Sequence, residues 1–204
     1  MGFEICDLRF CLAVIFLCLA PVGSLMAETS WILIPAPRFM GNSACFPIQN
    51  SKNTVLCPAK ISSDGVAIIS SEAEIKTANN ALETLITSTS LLAEKWLEEI
   101  TPEITRDAKN VITYGVLRSD TLPIAVTVLS SAFMKRYENQ FGPELTVVLP
   151  NRNTVFIFPE LIDNHADYTP QIIRAWRSKW PKGSLEVFKI TKVGLKAVGA
   201  FEEP

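Results

Sequence analysis

The chain has one histidine, His165, among its 204 residues. Any Ser-His-Asp or Cys-His nucleophilic set would have to use it, and a multi-histidine metal site within the chain is excluded. None of the nine glycines falls in a G-x-G or Walker pattern, so the backbone cradle of a phosphate-binding loop is missing. No Asn-x-Ser/Thr acceptor for glycosylation occurs. Charge excess is missing too. The 19 Lys and Arg nearly balance the 21 Asp and Glu, so the chain as a whole has no field that would draw a polyanion.

Only one long apolar run is present, and it is at the start. No charged side chain occurs from Phe10 to Ala27, and "FCLAVIFLCLAPV" is followed by the helix-breaking Pro21-Val22-Gly23-Ser24 and then Leu25-Met26-Ala27. An apolar stretch, a break and a small residue are the order of a secretory signal, so residues 1–27 are expected to be removed and the mature chain to begin near Glu28. The alternative is an uncleaved anchor, since these 18 uncharged residues approach the roughly 20 that a bilayer needs. Loss of the leader removes Glu4, Asp7 and Arg9, leaving 19 − 1 = 18 bases, 21 − 2 = 19 acids and a net charge of −1.

Cleavage also removes Cys6, Cys11 and Cys18, so five cysteines become the pair Cys45 and Cys57. An even pair in an exported chain points to a disulfide, the alternative being two separately buried thiols. Its thirteen-residue ring suggests about 3 kcal/mol of loop-entropy stabilisation. The spacing is too wide for a Cys-x-x-Cys redox or zinc pair.

Periodicity orders the rest. Trp31 to Ile34 reads as a short strand ended by Pro35, and the Pro-, Asn- and Ser-rich stretch beyond it reads as an irregular lobe. Its centre is a hairpin around Asn50-Ser51-Lys52-Asn53, closed by the two cysteines. "GVAII" (Gly65 to Ile69) reads as a strand. Ile75, Ala78, Leu82, Leu85 and Ile86 recur at helical spacing with Glu72 and Glu74 in the first turn. "ITSTS" (Ile86 to Ser90) weakens that helix before Leu91, Leu92, Trp96 and Leu97 resume it, and Pro102 ends it.

Asn110 to Leu117 is strand-like, and Leu129, Phe133, Tyr137 and Phe141 share one helix face stopped by Gly142-Pro143. Leu145 to Leu149 and Val155 to Phe158 form a hairpin. Thr169-Pro170 opens a helix carrying Ile172, Ile173, Trp176 and Trp180, and Leu185 to Thr191 is the last strand. This order predicts an α+β fold with a mainly antiparallel sheet and three or four helices. The expected division is a 1–27 signal peptide, a 28–64 N-terminal lobe with the disulfide, and a 65–204 α+β domain.

The run "SSAFMKRYENQFGPELTVVLPNRNTVFIFPE", followed by "SLEVFKITKVGL", resembles the C-terminal part of the YtpQ-like bacterial proteins, a family of unknown function. The resemblance spans Ile112 to Gly194. It implies a fold of helix, strand, short polar turn, strand, helix and closing strand, and it carries over no catalytic residue. The leader and the cysteine lobe depart from the family, so it implies no shared cellular role.

Candidate chemistry is sparse. "DNHAD" (Asp163 to Asp167) lacks the glycine and distal glutamate of a calcium loop and reads as a solvated connection. The pairs Glu72/Glu74 and Glu98/Glu99 read as solvated helix positions, because general acid-base work needs two acids converging in a cleft. No catalytic residue, metal ligand or cofactor is expected. At the hairpin tip Asn151-Arg152-Asn153, the asparagines suit positive φ, leaving Arg152 as the one residue the turn does not demand.

The last feature is local charge. From Gln171 to Lys196 there are seven bases, Arg174, Arg177, Lys179, Lys182, Lys189, Lys192 and Lys196, against one acid, Glu186. Arg174, Arg177 and Lys182 are therefore the candidate anion-binding residues, for an anionic polymer or a membrane surface, beside Trp176 and Trp180 expected in the core. No strong nucleic-acid signal accompanies them. The expected function is a non-catalytic exported binding or accessory module, and the alternative is a hydrolase using carboxylates or a Ser-Lys pair.

Overall fold

A computed structural model describes residues 30–62, 67–77, 81–159, 165–191 and 194–202. The expected leader, residues 1–27, and Asp163 and Lys192 lie outside the described residues. Among the described residues two antiparallel sheets and four α-helices make up the α+β fold.

In the first sheet β3 (Thr54–Ile61) is central. It pairs with β1 (Ser30–Pro37) on one side, and with β2 (Phe46–Pro47) and β4 (Ala67–Ile69) on the other. The expected N-terminal lobe is therefore more regular than its composition suggests. Strand β1 runs through Pro35 to Pro37 because it lies at the sheet edge, where a missing N–H is tolerated. The expected disulfide joins Cys45 to Cys57 with Cα atoms 4.3 Å apart, and the turn of that hairpin contains Asn50 at φ 61°.

The first helix, α1 (Glu72–Thr77), opens on a reciprocal cap. The Ser71 N–H donates to Glu74 at 2.8 Å and the Glu74 N–H donates to Ser71 Oγ at 3.3 Å. The Lys60 ammonium and then the Ser71 donors hold the Glu74 carboxyl at about 2. Helix α2 (Leu82–Glu99) starts after extended Ala81 and runs unbroken through Ile86 to Ser90. The hydroxyl stretch read as a weakness is thus a joint. The Thr89 hydroxyl donates back to Leu85 O at 2.5 Å and accepts the Leu33 N–H of edge strand β1 at 2.8 Å.

The second sheet has the order β10-β9-β7-β8-β6-β5, with β5 (Glu103–Arg106), β6 (Ile112–Arg118), β7 (Thr146–Asn151), β8 (Thr154–Phe158), β9 (Glu186–Thr191) and β10 (Gly194–Ala200). One face packs on α2, on α3 (Ser131–Phe141) and on the buried 3-10 helix Ile124–Leu129. There Leu149, Val155, Ile157 and Phe188 meet Trp96, Leu97, Phe133 and Tyr137, and the same core includes Ile32, Ile34 and Ala59 of the first sheet. The other face, with Val148, Phe156, Phe158 and Val187, lies under Ile172 of α4 (Thr169–Trp176). Cover on both faces explains why β7 and β8 are continuously apolar rather than alternating. The Phe133, Tyr137 and Phe141 face of α3 is buried as expected, but Leu129, expected on the same face, falls in the preceding 3-10 helix because extended Ser130 separates the two; Gly142 at φ 99° ends α3.

A single carboxylate joins the two sheets. Glu186, at the start of β9, is 4% exposed. It accepts Ser51 Oγ at 2.8 Å, the Lys52 N–H at 2.7 Å, the Asn53 N–H at 3.2 Å, Thr54 Oγ1 at 2.6 Å and Ser184 Oγ at 3.4 Å. Arg38 grips the same hairpin from outside, donating to Lys52 O at 2.8 Å and Ser51 O at 3.2 Å. Burial pushes the Glu186 carboxyl up, but the donors from Thr54, Lys52, Ser51 and Asn53 outweigh it and hold the group below the usual range.

A folded-state pKa below the unfolded one gives stability that is present above about pH 4.3 and lost as pH falls further. Glu186→Gln is expected to lower stability at pH 7 by about 2 kcal/mol. The deficit against the natural protein should shrink as pH falls from 5 to 3, read from denaturant unfolding. A deficit that is constant across that range would contradict the assignment.

Candidate anion-binding surface

The Asn151-Arg152-Asn153 tip is not a surface feature. The three residues are 1%, 8% and 6% exposed, and neither asparagine is among the described non-glycine residues at positive φ. The turn chemistry expected of them is replaced by side-chain bonding. Asn151 donates to Ala175 O at 2.8 Å and Ser178 Oγ at 3.2 Å, and its Oδ1 accepts the Asn153 N–H at 2.9 Å. Asn153 donates to Ser119 O at 3.2 Å and Leu122 O at 2.9 Å.

Arg152 uses its backbone N–H on Pro181 O at 3.1 Å and its Nη1 on Ala67 O at 2.8 Å, while its Nε is buried without a partner. Burial pulls the guanidinium pKa down. The tip is a joint that fastens α4, the 119–125 segment, β4 and the 181–184 turn to one hairpin. At that turn only glycine fits, since a Cβ on Gly183 would lie 2.1 Å from Leu149 O.

Helix α4 ends at Trp176 and not at Trp180, so the tryptophan pair is not one buried stripe. The Arg177 N–H donates to Ile173 O at 2.9 Å, the Ser178 N–H donates to Ala175 O at 3.2 Å, and the Asn151 amide adds a side-chain bond to the same Ala175 carbonyl. Ile172 and Ile173 are the buried residues of α4. Trp176 and Trp180 are half-buried, and each has a lysine over its ring: Lys182 Nζ at 3.8 Å from Trp176 and Lys179 Nζ at 4.9 Å from Trp180.

Arg174, Arg177, Lys179 and Lys182 are all exposed. Arg174 and Arg177 line one open groove of about 590 Å³ with Thr169, Pro170 and Ile173. Among the described residues no carboxylate lies within ion-pair distance of any of these four cations. No acid occurs from Tyr168 to Leu185. The structure places Arg174 and Arg177 on one groove and Lys182 against Trp176. It separates Lys189, which is ion-paired with Glu144.

Elsewhere the chemistry stays thin. Among the described residues no group of three His, Cys, Asp or Glu is placed to hold a metal ion. The exposed Glu94 contacts Ser130 Oγ at 3.3 Å and Ser90 Oγ at 3.4 Å, where Ser130 also caps α3. His165 falls in a 3-10 turn, His165–Tyr168, that leads into α4, where a plain loop was expected.

No protein-family model matches the chain, and neither does any curated protein or solved structure.

If the asparagines of the tip served positive φ, glycine would replace them at little cost. Because their side chains carry the bonds, Asn151→Gly and Asn153→Gly are each expected to destabilise by about 2 kcal/mol in chemical unfolding. A change below about 0.5 kcal/mol in both would contradict the joint.

Proposed function

We propose that the chain is an exported, non-catalytic binding or accessory module that holds an anionic partner on the α4 surface. The observation that carries this is the cluster of Arg174, Arg177, Lys179 and Lys182, exposed and without acid partners among the described residues, in a chain whose overall charge is −2. Unneutralised cations gathered on one face attract an anion that the net charge would repel. Export is supported by the leader and by the Cys45–Cys57 disulfide, since such bonds persist in oxidising compartments. Among the described residues no helix is long and apolar enough to cross a membrane. The likeness of Ile112 to Gly194 to the YtpQ-like proteins enters as a proposal about the fold of that stretch, and it brings no role with it. The hydrolase alternative has no observation in its favour.

Binding to immobilised polyphosphate is expected at low salt and to weaken steeply as salt rises, because counterion release drives it. Arg174→Glu/Arg177→Glu, with unchanged circular dichroism, should bind at least tenfold more weakly, and its slope of log affinity against log salt should be shallower by roughly two. Intact mass of the exported protein should place its start near Glu28. Retention that ignores salt, or that the double variant leaves intact, would overturn the surface assignment.

A further inference from the structure

Building on that anion-binding surface, we propose that its partner is an anionic phospholipid surface. A headgroup phosphate sits between Arg174 and Arg177, and the tryptophans lie at headgroup depth. The groove is the first argument. Arg174 and Arg177 line it together with Thr169, Pro170 and Ile173, so cationic and largely apolar side chains share one groove. A phosphate joined to a hydrocarbon chain matches both parts, whereas a soluble polyanion uses only the cationic one.

The tryptophans are the second argument. A single-stranded nucleic acid would use open indole faces as stacking platforms. Here Lys182 Nζ lies over Trp176 at 3.8 Å and Lys179 Nζ lies over Trp180 at 4.9 Å, so each ring already has a face occupied by an ammonium. Half-buried indoles with lysines laid across them are suited instead to a bilayer interface. There the ring takes the headgroup level and the long basic side chains reach phosphate along their apolar stems. Orientation is the third. Four cations and no acid occupy residues 168–185, while the whole chain is −2, so the remainder is acidic and is repelled by the surface that attracts α4.

The test is vesicle sedimentation with the full chain, using phosphatidylglycerol vesicles against phosphatidylcholine vesicles. The difference between the two is read because residues 10–27 are apolar enough to associate with either lipid. Preference for phosphatidylglycerol is expected, lost in high salt, together with a blue shift in tryptophan emission. Arg174→Gln/Arg177→Gln should weaken that preference roughly twenty-five-fold, about fivefold for each cation lost. Lys179→Gln, an exposed position, should shift it in the same direction by about fivefold and serves if the double variant does not fold.

Equal binding to both vesicles, or a preference that neither variant changes, would overturn the proposal. Binding to polyphosphate or single-stranded DNA without any preference for phosphatidylglycerol would overturn the lipid partner and leave the anion-binding surface standing. Binding to none of them would overturn both.

Discussion

The structure depends on one buried negative charge that has no positive partner among the described residues. Glu186 is held by five donors, four of them from residues 51–54 and none from a cation. Taking a carboxylate out of water is costly, and only a full set of donors offsets it. Those donors converge only if the Cys45–Cys57 hairpin has one shape, which the disulfide, Asn50 at φ 61° and the Arg38 bonds to Lys52 O and Ser51 O together impose. Once the hairpin is seated on β9, Gln49 reaches the edge of β10, where its carbonyl accepts the Ala197 N–H at 2.9 Å. The first sheet then closes over the second and the two share one core.

A second buried polar joint carries this order outward to the α4 surface. Asn151, Arg152 and Asn153 bond to Ala175, Ser178, Ala67, Ser119 and Leu122, so the end of α4 is tied to the buried β7–β8 strand pair. The cations of the 174–182 segment are therefore displayed from a braced element, which reduces the entropy lost when they engage a ligand. The joint and the surface are linked physically: the Asn151 side chain bonds to Ala175 O in the last turn of α4, and Trp180 lies beyond the end of that helix.

Much of the fold was legible where burial and periodicity agree. Phe133, Tyr137 and Phe141 recur at four and the apolar runs of β7 and β8 flank a short turn, and each became the element its spacing implied. Glu72 and Glu74 do sit at a helix start, but the single helix expected from Ile75 to Ile86 is two, α1 ending at Thr77 and α2 starting after extended Ala81. The elements missed have no period of their own. Strand β5 is four mostly exposed residues held by pairing with β6, and β10 is rich in small residues. The 3-10 helix Ile124–Leu129 is apolar throughout because nearly all of it is buried.

The site was half legible. A run of bases without acids is visible in one dimension, so Arg174, Arg177 and Lys182 stood out. The roles of Asn151, Asn153 and Glu186 depend on donors and acceptors 24 to 135 positions away in the chain, which no local pattern encodes. Glu186 counted only as the lone acid in a basic stretch. The one available hint was Ser-Leu-Glu opening a strand, and it did not reveal a buried charge.

The central claim is that the Glu186 carboxylate seats the disulfide hairpin on the second sheet, and amide hydrogen exchange at Lys52 and Asn53 reads it directly. Both amides sit in a polar, partly exposed turn that would exchange within the time of an unstructured chain if the hairpin were free. The expected result at pH 7 is exchange slowed at least a hundredfold at both positions, with at least tenfold acceleration in Glu186→Gln while the β7 and β8 amides keep their protection. Exchange at Lys52 and Asn53 at unstructured-chain rates in the natural protein, or protection that survives Glu186→Gln unchanged, would contradict it.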